Sequence, residues 1–185
     1  MNKKTIRVLT IIIVIIGIAS FFIDEQVLQW ISNLRFSLLS ELMKIITDRA
    51  IVGSVSVLLP IFILWYKNKA KWILPLILSL LTAIVLTYIF KSLFARPRPS
   101  ASLIIVYFYS FPSGHAASVF SVIPAIEKGL KKLKWFWIVF ACLIAFTRLY
   151  LGVHYLSDII FGGLLGYLTG WFIINEGLKK WKIWN

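Results

Sequence analysis

Six apolar stretches, separated by short polar segments, set the pattern of the chain. They occupy residues 8–23, 50–66, 72–90, 116–126, 135–147 and 159–175. A straight helix needs about 20 residues, most of them apolar, to cross the hydrocarbon core of a bilayer. Four stretches approach that length, and the two short ones continue into a few polar or ionisable residues. The pattern predicts an all-α fold, a bundle of six transmembrane helices at about 6–23, 50–66, 72–90, 113–130, 135–153 and 156–175.

A different periodicity follows the first apolar stretch. Between residues 26 and 47, apolar side chains recur at helical spacing and charged residues lie among them. Such a segment is typical of an amphipathic helix that lies at the membrane surface. We therefore expect an interfacial helix at about 26–47, either continuous or broken near its middle, between spans 1 and 2. The chain from 1 to 185 then forms a single membrane domain.

The composition is typical of a membrane protein, and the net charge raises the question of whether the partner is lipid or nucleic acid. Hydrophobic residues make up 60% of the chain, above the roughly 45–50% of soluble domains, so lipid must cover part of the surface. The formal net charge of +13 raises the question of nucleic acid. However, the basic residues fall in short clusters between apolar runs and form no continuous basic face. We therefore expect membrane lipids, and not nucleic acid, as partners.

The distribution of Lys and Arg predicts the orientation, because cytoplasmic loops carry an excess of these residues. With six spans, thirteen of the twenty fall on the side of the two termini and seven on the other. Both termini are therefore expected in the cytoplasm, in a multi-pass protein of the plasma or inner membrane. The first apolar run lacks a small-residue cleavage site, so it is expected to stay as a helix.

Unusual polar residues occupy the predicted outer ends of spans 3 to 6. A cationic cluster there suits either interfacial anchoring or an anionic ligand such as a lipid head group; its members are Lys91, Arg96, Arg98 and Arg148. Span 4 begins with a turn at Pro112 whose free backbone N–H groups suit an anion. In this turn Ser113 is able either to cap the helix or to bond a phosphate oxygen, beside Gly114.

The two histidines of the chain lie in the same segments. His154 and Asp158 are four residues apart and face each other on a helix. A carboxylate bonded to one imidazole nitrogen leaves the other as nucleophile or base. Together with His115 and the cations, this pair indicates a catalytic site for a phosphate group. Two histidines and an aspartate can bind zinc, but the neighbouring Lys and Arg would repel a divalent cation, so we expect no metal.

These segments resemble the type 2 phosphatidic acid phosphatase (PAP2) family of integral membrane lipid phosphatases. The family pattern is Lys, six residues, Arg-Pro; then Pro-Ser-Gly-His; then Ser-Arg, five residues, His, three residues, Asp. All three spacings match here, at Lys91, Arg98 and Pro99; Pro112, Ser113, Gly114 and His115; Arg148, His154 and Asp158. The one departure is Thr147 in place of Ser, which keeps a hydroxyl group.

The resemblance implies a metal-independent hydrolase without a cofactor that works through a phosphohistidine. His154 would attack phosphorus, Asp158 would orient it, and His115 would protonate the leaving oxygen. The phosphate oxygens would be held by Lys91, Arg98, Ser113, Gly114 and Arg148. Arg96 falls outside the family pattern. It is expected either to assist a second phosphate or to meet lipid head groups, and the second role is favoured.

The family resemblance also implies a lipid phosphate or diphosphate as substrate, and the predicted position of the site at the outer face suits a lipid of the outer leaflet. The candidates are polyprenyl diphosphate, phosphatidylglycerophosphate, phosphatidic acid and the 1-phosphate of lipid A, of which the first two are favoured. A phosphotransferase using the same site is one alternative, and a non-catalytic lipid transporter is another. The His154–Asp158 pair favours an enzyme, since a transporter has no need of a nucleophile. The sequence leaves the oligomeric state open.

Overall fold

The computed structural model describes residues 3–177, which form helices and contain no β-strand. This confirms the predicted all-α class. Two π-helical segments, Ser54–Leu58 and Ile173–Gly177, and two 3-10 turns, Ala70–Trp72 and Lys131–Leu133, join or extend the α-helices. The α-helices are α1 (Lys3–Ser20), α2 (Asp24–Ser32), α3 (Ser37–Ile46), α4 (Arg49–Gly53), α5 (Leu59–Tyr66), α6 (Ile73–Phe94), α7 (Gly114–Ser121), α8 (Ile123–Gly129), α9 (Lys134–Tyr150) and α10 (Leu156–Phe172).

Several of these helices are suited to cross a membrane. Within residues 3–177, four continuous helical stretches are long and apolar enough: Arg49–Tyr66, Ala70–Phe94, Lys131–Tyr150 and Leu156–Gly177. A fifth span is available if α1 and α2, which are bent by 75° relative to each other, count as one. The chain is therefore a multi-pass membrane protein, and the predicted count of six spans is not confirmed.

The predicted span at 113–130 consists of two short helices, α7 and α8, which meet at Val122. The break follows from Pro124, because proline has no backbone N–H and its ring clashes with the carbonyl four residues earlier. Most of α7 and α8 is buried, with Ala116, Ala117, Val122, Ala125 and Ile126 fully enclosed. Neighbouring helices therefore replace lipid around this segment.

Helix α10 packs against α7 through glycines at every fourth position. A Cβ atom built at Gly162 would lie 2.5 Å from the Ser113 carbonyl oxygen, and Gly166 and Gly170 approach the α7 backbone still more closely. Small residues at this spacing allow the backbones of membrane helices to meet. The Ser113 N–H also donates to the Asp158 carbonyl over 2.9 Å. The start of α7 is thus fixed against the start of α10.

Two contacts define the end of the bundle opposite these helix starts. Lys69 Nζ donates to the Gly129 carbonyl over 2.9 Å, which joins the α5–α6 connection to the last residue of α8. Lys3 pairs with Glu176 over 2.7 Å, which joins the beginning of α1 to the end of the last helix. The basic clusters at 67–71 and 128–134 therefore share one end. Lys179, Lys180 and Lys182 lie outside the described residues.

The predicted interfacial helix between α1 and α4 is present in its broken form, as the two shorter helices α2 and α3. Arg35 lies in the turn between them and ties it to two distant carbonyls. Its Nε donates to Tyr150 and its Nη1 to Ala101, each over 2.8 Å. These bonds hold the turn at the same end of the bundle as the starts of α7 and α10.

Candidate active site

A cavity of about 830 Å³ opens at the end of the bundle where α7 and α10 begin. Six of the eight predicted site residues line it: Lys91, Arg98, Gly114, His115, Arg148 and His154. The other two, Ser113 and Asp158, are fully buried next to this lining. The structure therefore brings together residues from three separate segments of the chain, 91–98, 113–115 and 148–158.

His154 lies in the turn between α9 and α10 and bonds to Asp158. Its Nδ1 is 3.3 Å from Asp158 Oδ2, which also accepts the Tyr155 N–H over 2.9 Å. Its Nε2 lies 3.3 Å from Arg98 Nη1. A proton held on Nδ1 by the carboxylate leaves the Nε2 lone pair free for attack.

The electrostatics of this turn favour the neutral imidazole. Burial lowers the pKa of His154 to about 4, although the hydrogen bond and charge of Asp158 act to raise it. The ring is therefore uncharged at neutral pH. A neutral ring is the form that a nucleophile requires, because only this form has a free lone pair.

The cations of the cavity are held by neutral groups. Lys91 Nζ donates to the Ser110 carbonyl over 3.0 Å. Arg98 donates from Nε to Phe108 over 2.8 Å and from Nη1 to Val153 over 2.6 Å. Within residues 3–177, no carboxylate lies within ion-pairing distance of either cation. Their charges are consequently available to an anion in the cavity.

Two buried donors at the cavity lack partners among the described residues: Arg148 Nε and Ser113 Oγ. Arg148 is otherwise held by Thr47, whose Oγ1 accepts from its Nη1 over 3.0 Å. The Ser113 side chain does not cap α7. Of its two predicted roles, only the hydrogen bond to a phosphate oxygen therefore stays open. A buried donor without a partner costs about 1–3 kcal/mol. Phosphate oxygens would satisfy both groups.

His115 lies in the first turn of α7 and forms another part of the cavity wall. Arg148, His154 and Arg49 all lie near enough to act on its ring electrostatically. Arg49 begins α4 and also lines the cavity. Nothing in the sequence places Thr47 or Arg49 at the site, because neither belongs to a motif and both precede the first motif residue, Lys91, by more than 40 residues.

Arg96 has a different environment from the other cations, and the expectation that it meets lipid head groups is wrong. Its Nη1 donates to Asp158 Oδ1 over 2.7 Å, and its Nη2 donates to Asp24 Oδ2 over 2.8 Å. Two buried carboxylates therefore engage its charge. Sequence reasoning also missed Asp24, which lies just before the predicted interfacial helix at about 26–47.

The arrangement combines two histidines with two cations, Lys91 and Arg98, that form no ion pair within residues 3–177. Within residues 3–177, no group of three or more His, Cys, Asp or Glu side chains is arranged to hold a metal ion. Independence from metals remains a prediction for experiment. The geometry supports attack by a nitrogen nucleophile on an anionic group that the cations hold.

Comparison with known proteins agrees with this chemistry. The sequence model described as the PAP2 superfamily matches residues 72–182, which is more than half of the chain. The chain belongs to the PAP2 superfamily. The predicted resemblance is confirmed, and the protein is a PAP2-type phosphatase.

Two curated relatives extend the match. Phosphatidylglycerophosphatase B of Bacillus subtilis is 30% identical over 178 residues, which cover 86% of each chain. Undecaprenyl-diphosphatase of Sulfolobus acidocaldarius is 36% identical over 114 residues, which cover 56% of this chain. That match spans only about half of the archaeal relative, 54% of its length.

The fold has a counterpart among solved structures. The crystal structure of a transmembrane PAP2-type phosphatidylglycerolphosphate phosphatase from Bacillus subtilis matches with a TM-score of 0.75 and 25% identity. The alignment covers 98% of this chain and 96% of that one. The similarity thus includes α1 to α5, which lie before the region that the superfamily model matches.

Proposed function

We propose that this PAP2 phosphatase removes the terminal phosphate from a membrane lipid phosphate or diphosphate through a phosphohistidine at His154. One observation carries the proposal. The Nε2 of a buried, carboxylate-bonded histidine lies in a cavity that also contains His115 and several cations without carboxylate partners. This combination suits an anionic substrate, a nitrogen nucleophile and a separate acid.

The first step transfers the phosphoryl group to the enzyme. His154 Nε2 attacks phosphorus while the bond from phosphorus to the leaving oxygen breaks on the opposite side. Asp158 keeps the proton on Nδ1 and stabilises the positive charge that the ring gains. Lys91, Arg98 and Arg148 hold the three remaining phosphate oxygens, on which the charge of the transition state is spread. The Ser113 hydroxyl and the Gly114 N–H add hydrogen bonds.

His115 acts on the leaving group and then on water. It donates a proton to the leaving oxygen in the first step, and it accepts one from the water that cleaves the phosphohistidine in the second. The second step releases inorganic phosphate and restores neutral His154.

The walls of the cavity support a lipid substrate. Away from the cations, the lining follows α4 to α6 and is mainly apolar, with Val52, Val57, Leu80, Ile84 and Tyr88. A lipid phosphate matches this arrangement, because its charged head group would meet the cations and its apolar chain would meet the apolar walls. A soluble phosphate ester would leave these walls without a matching partner.

The position of Arg49 favours lipid substrates that carry a second phosphate group. It lines the cavity near His115 and Arg148, and no carboxylate within residues 3–177 lies within ion-pairing distance of it. Polyprenyl diphosphate and phosphatidylglycerophosphate each carry a second phosphate group beside the one that is removed, whereas phosphatidic acid does not. Arg49 would contact this second group, so the first two lipids are the favoured substrates.

The same proposal includes six spans, with α7 and α8 together as the fourth. Enclosure of this pair by other helices explains why it is shorter than a lipid-exposed span needs to be. The Lys-rich connections at 67–71 and 128–134 share the end of the bundle opposite the cavity, which supports a cytoplasmic location for that end and for both termini. The cavity then faces the outer side and receives its substrate from the outer leaflet.

Phosphate release by the purified protein in detergent tests the proposal. The panel contains polyprenyl diphosphate, phosphatidylglycerophosphate and phosphatidic acid, without an acceptor lipid. We expect the wild type to release phosphate and His154→Gln to be at least about 1000-fold slower. Lys67→Gln, an exposed cation at the opposite end, is the control and should match the wild type. Full activity of His154→Gln would refute the mechanism, and turnover only with an acceptor lipid would indicate a phosphotransferase.

Two inhibitors test the chemistry of the step. Vanadate adopts the geometry of a phosphoryl group in transfer, so it should inhibit the enzyme. EDTA should have no effect, because the cations that hold the phosphate belong to the chain. Loss of activity with EDTA, with recovery on adding a divalent metal, would contradict the metal-independent mechanism.

A further inference from the structure

Arg96 connects two carboxylates that lie far apart in the sequence. It donates from Nη1 to Asp158 Oδ1 and to Ser157 Oγ, each over 2.7 Å, and from Nη2 to Asp24 Oδ2 over 2.8 Å. The Tyr155 ring lies 4.0 Å from its Cζ atom and covers the guanidinium. Arg96 is thus held in one plane by charge, hydrogen bonds and stacking.

Asp24 is the least expected member of this group. It is the first residue of α2, and only 2% of its surface is exposed. Its Oδ1 accepts the Ser157 N–H over 2.9 Å, and its Oδ2 accepts the Ser157 hydroxyl. Burial of a lone carboxylate is costly unless it is paired and hydrogen-bonded. Arg96 and the first turn of α10 supply both conditions.

The two oxygens of Asp158 have separate partners as a result. Oδ2 bonds His154 Nδ1 and the Tyr155 N–H, and Oδ1 bonds Arg96. A carboxylate bonded on both oxygens cannot rotate, so its direction towards His154 is fixed. The charge of Arg96 also favours the ionised carboxylate, which leaves the proton on Nδ1 and the lone pair on Nε2.

We propose that Asp24 and Arg96 form a positioning pair for the hydrolysis: Arg96 orients Asp158 and keeps it ionised, and Asp24 orients Arg96. The inference rests on the proposed function, since Asp158 acts through His154. Neither residue of the pair lines the cavity, so the pair acts through Asp158 and not on the substrate. The nucleophile therefore depends on a residue of α2, outside the three sequence motifs.

The competing explanation is a purely structural link between α2 and α10. A structural link would affect stability and the yield of folded protein, but it would not change the pH dependence of the folded enzyme. Arg35→Gln is the matched control, because Arg35 also ties distant segments together at this end of the bundle, through the carbonyls of Tyr150 and Ala101. It should lower thermal stability and leave the pH profile of kcat unchanged.

The experiment measures kcat, KM and the pH profile for Arg96→Gln, Arg96→Lys and Asp24→Asn, each normalised to folded protein. We expect Arg96→Gln to lower kcat about 10- to 100-fold, as loss of an orienting partner does, with little change in KM. Its acid limb should move to higher pH, because Asp158 loses the cation that favours its ionised form. Arg96→Lys should recover part of both effects.

Other groups act on Asp158 and stay constant across these variants. His154 and Tyr155 lie on the adjoining turn, Lys91 on α6 and Arg98 on the loop that follows it. A shift of the acid limb in the Arg96 variants is therefore a consequence of the change at Arg96. If Arg96→Gln does not fold, Arg96→Lys decides the question, since a wild-type kcat and pH profile in that variant would overturn the inference.

A double variant tests whether the two residues act as one unit. Asp24→Asn together with Arg96→Gln should be no slower than Arg96→Gln alone, because residues in one network are not additive. Effects on kcat that multiply would overturn the pairing, and so would an Arg96→Gln variant that changes only in stability, as Arg35→Gln does. A wild type that releases no phosphate from any lipid of the panel would overturn the proposed function as well. Loss of activity in His154→Gln without any effect of Arg96→Gln would overturn the positioning pair alone.

Discussion

Gly162→Ala tests the idea that the α7–α10 contact sets the position of the catalytic groups. The substitution adds one methyl group in the first half of α10, one turn after Asp158. The new Cβ would lie 2.5 Å from the Ser113 carbonyl oxygen and 3.1 Å from its amide nitrogen. Both are backbone atoms of the turn that leads into α7, so they cannot move aside as a flexible side chain would.

The expected effect follows from these distances. Ordinary contact with a carbon atom begins near 3.4 Å, so the backbones must separate by nearly 1 Å. Displacement of a reacting group by about 1 Å is able to lower the rate about 100-fold, and overpacking of this kind costs about 1–3 kcal/mol of stability. The Ser113–Asp158 backbone hydrogen bond would lengthen as well. Activity should therefore fall more than stability alone explains.

The assay compares kcat/KM for phosphate release with the thermal unfolding midpoint, followed by tryptophan fluorescence. Gly163→Ala is the control, because it makes the same chemical change one position along the same helix. Its Cβ would lie 3.3 Å from the Phe120 ring, a side chain that is able to move a few tenths of an ångström. Gly162→Ala with the activity and stability of Gly163→Ala would refute the reasoning.

Three further predictions concern single residues. The pKa of His154 is lowered to about 4, so the ring stays neutral as the pH falls through 6.5. After correction for ionisation of the substrate, kcat/KM should therefore show no decline near pH 6.5. A decline centred at that pH would contradict a neutral nucleophile. Arg49→Gln should raise KM for polyprenyl diphosphate more than for phosphatidic acid, in parallel steady-state assays; an equal change would argue against contact with a second phosphate. Gly152→Ala should lower the midpoint of thermal unfolding, because φ is +67° at this residue and the new Cβ would lie 2.6 Å from the Ala101 carbonyl oxygen. Backbone strain of this kind costs about 1–3 kcal/mol. An unchanged midpoint would contradict this prediction.

The sequence predicted the parts of the site that local spacing encodes. His154 and Asp158 are one helical turn apart, and the Pro-Ser-Gly-His turn is continuous, so each group could be recognised within a few residues. The same is true of the all-α class, which follows from the length of the apolar runs. The gathering of the three segments at one cavity also agrees with their predicted location at one face of the bundle.

The parts that sequence reasoning missed depend on contacts across the chain. Asp24 and Arg96 are separated by 72 residues, and a charge at the end of an apolar helix ordinarily indicates only a membrane boundary. Thr47 bonds Arg148 across 101 residues, and nothing near it in the sequence signals that role. The number of spans was difficult for another reason, because α7 and α8 are enclosed by protein and need not have the length or apolar composition of a lipid-exposed helix.

The bond between Asp24 and the start of α10 has a consequence for how the protein is made. Chains are synthesised from the N-terminus, so α1 and α2 are made before α10. Until α10 docks, Asp24 lacks the Ser157 donors, Arg96 lacks Asp158, and Lys91 and Arg148 face the same space without His154. The proposed catalytic centre therefore becomes complete only when α10 docks, and we expect hydrolysis to begin only after that step.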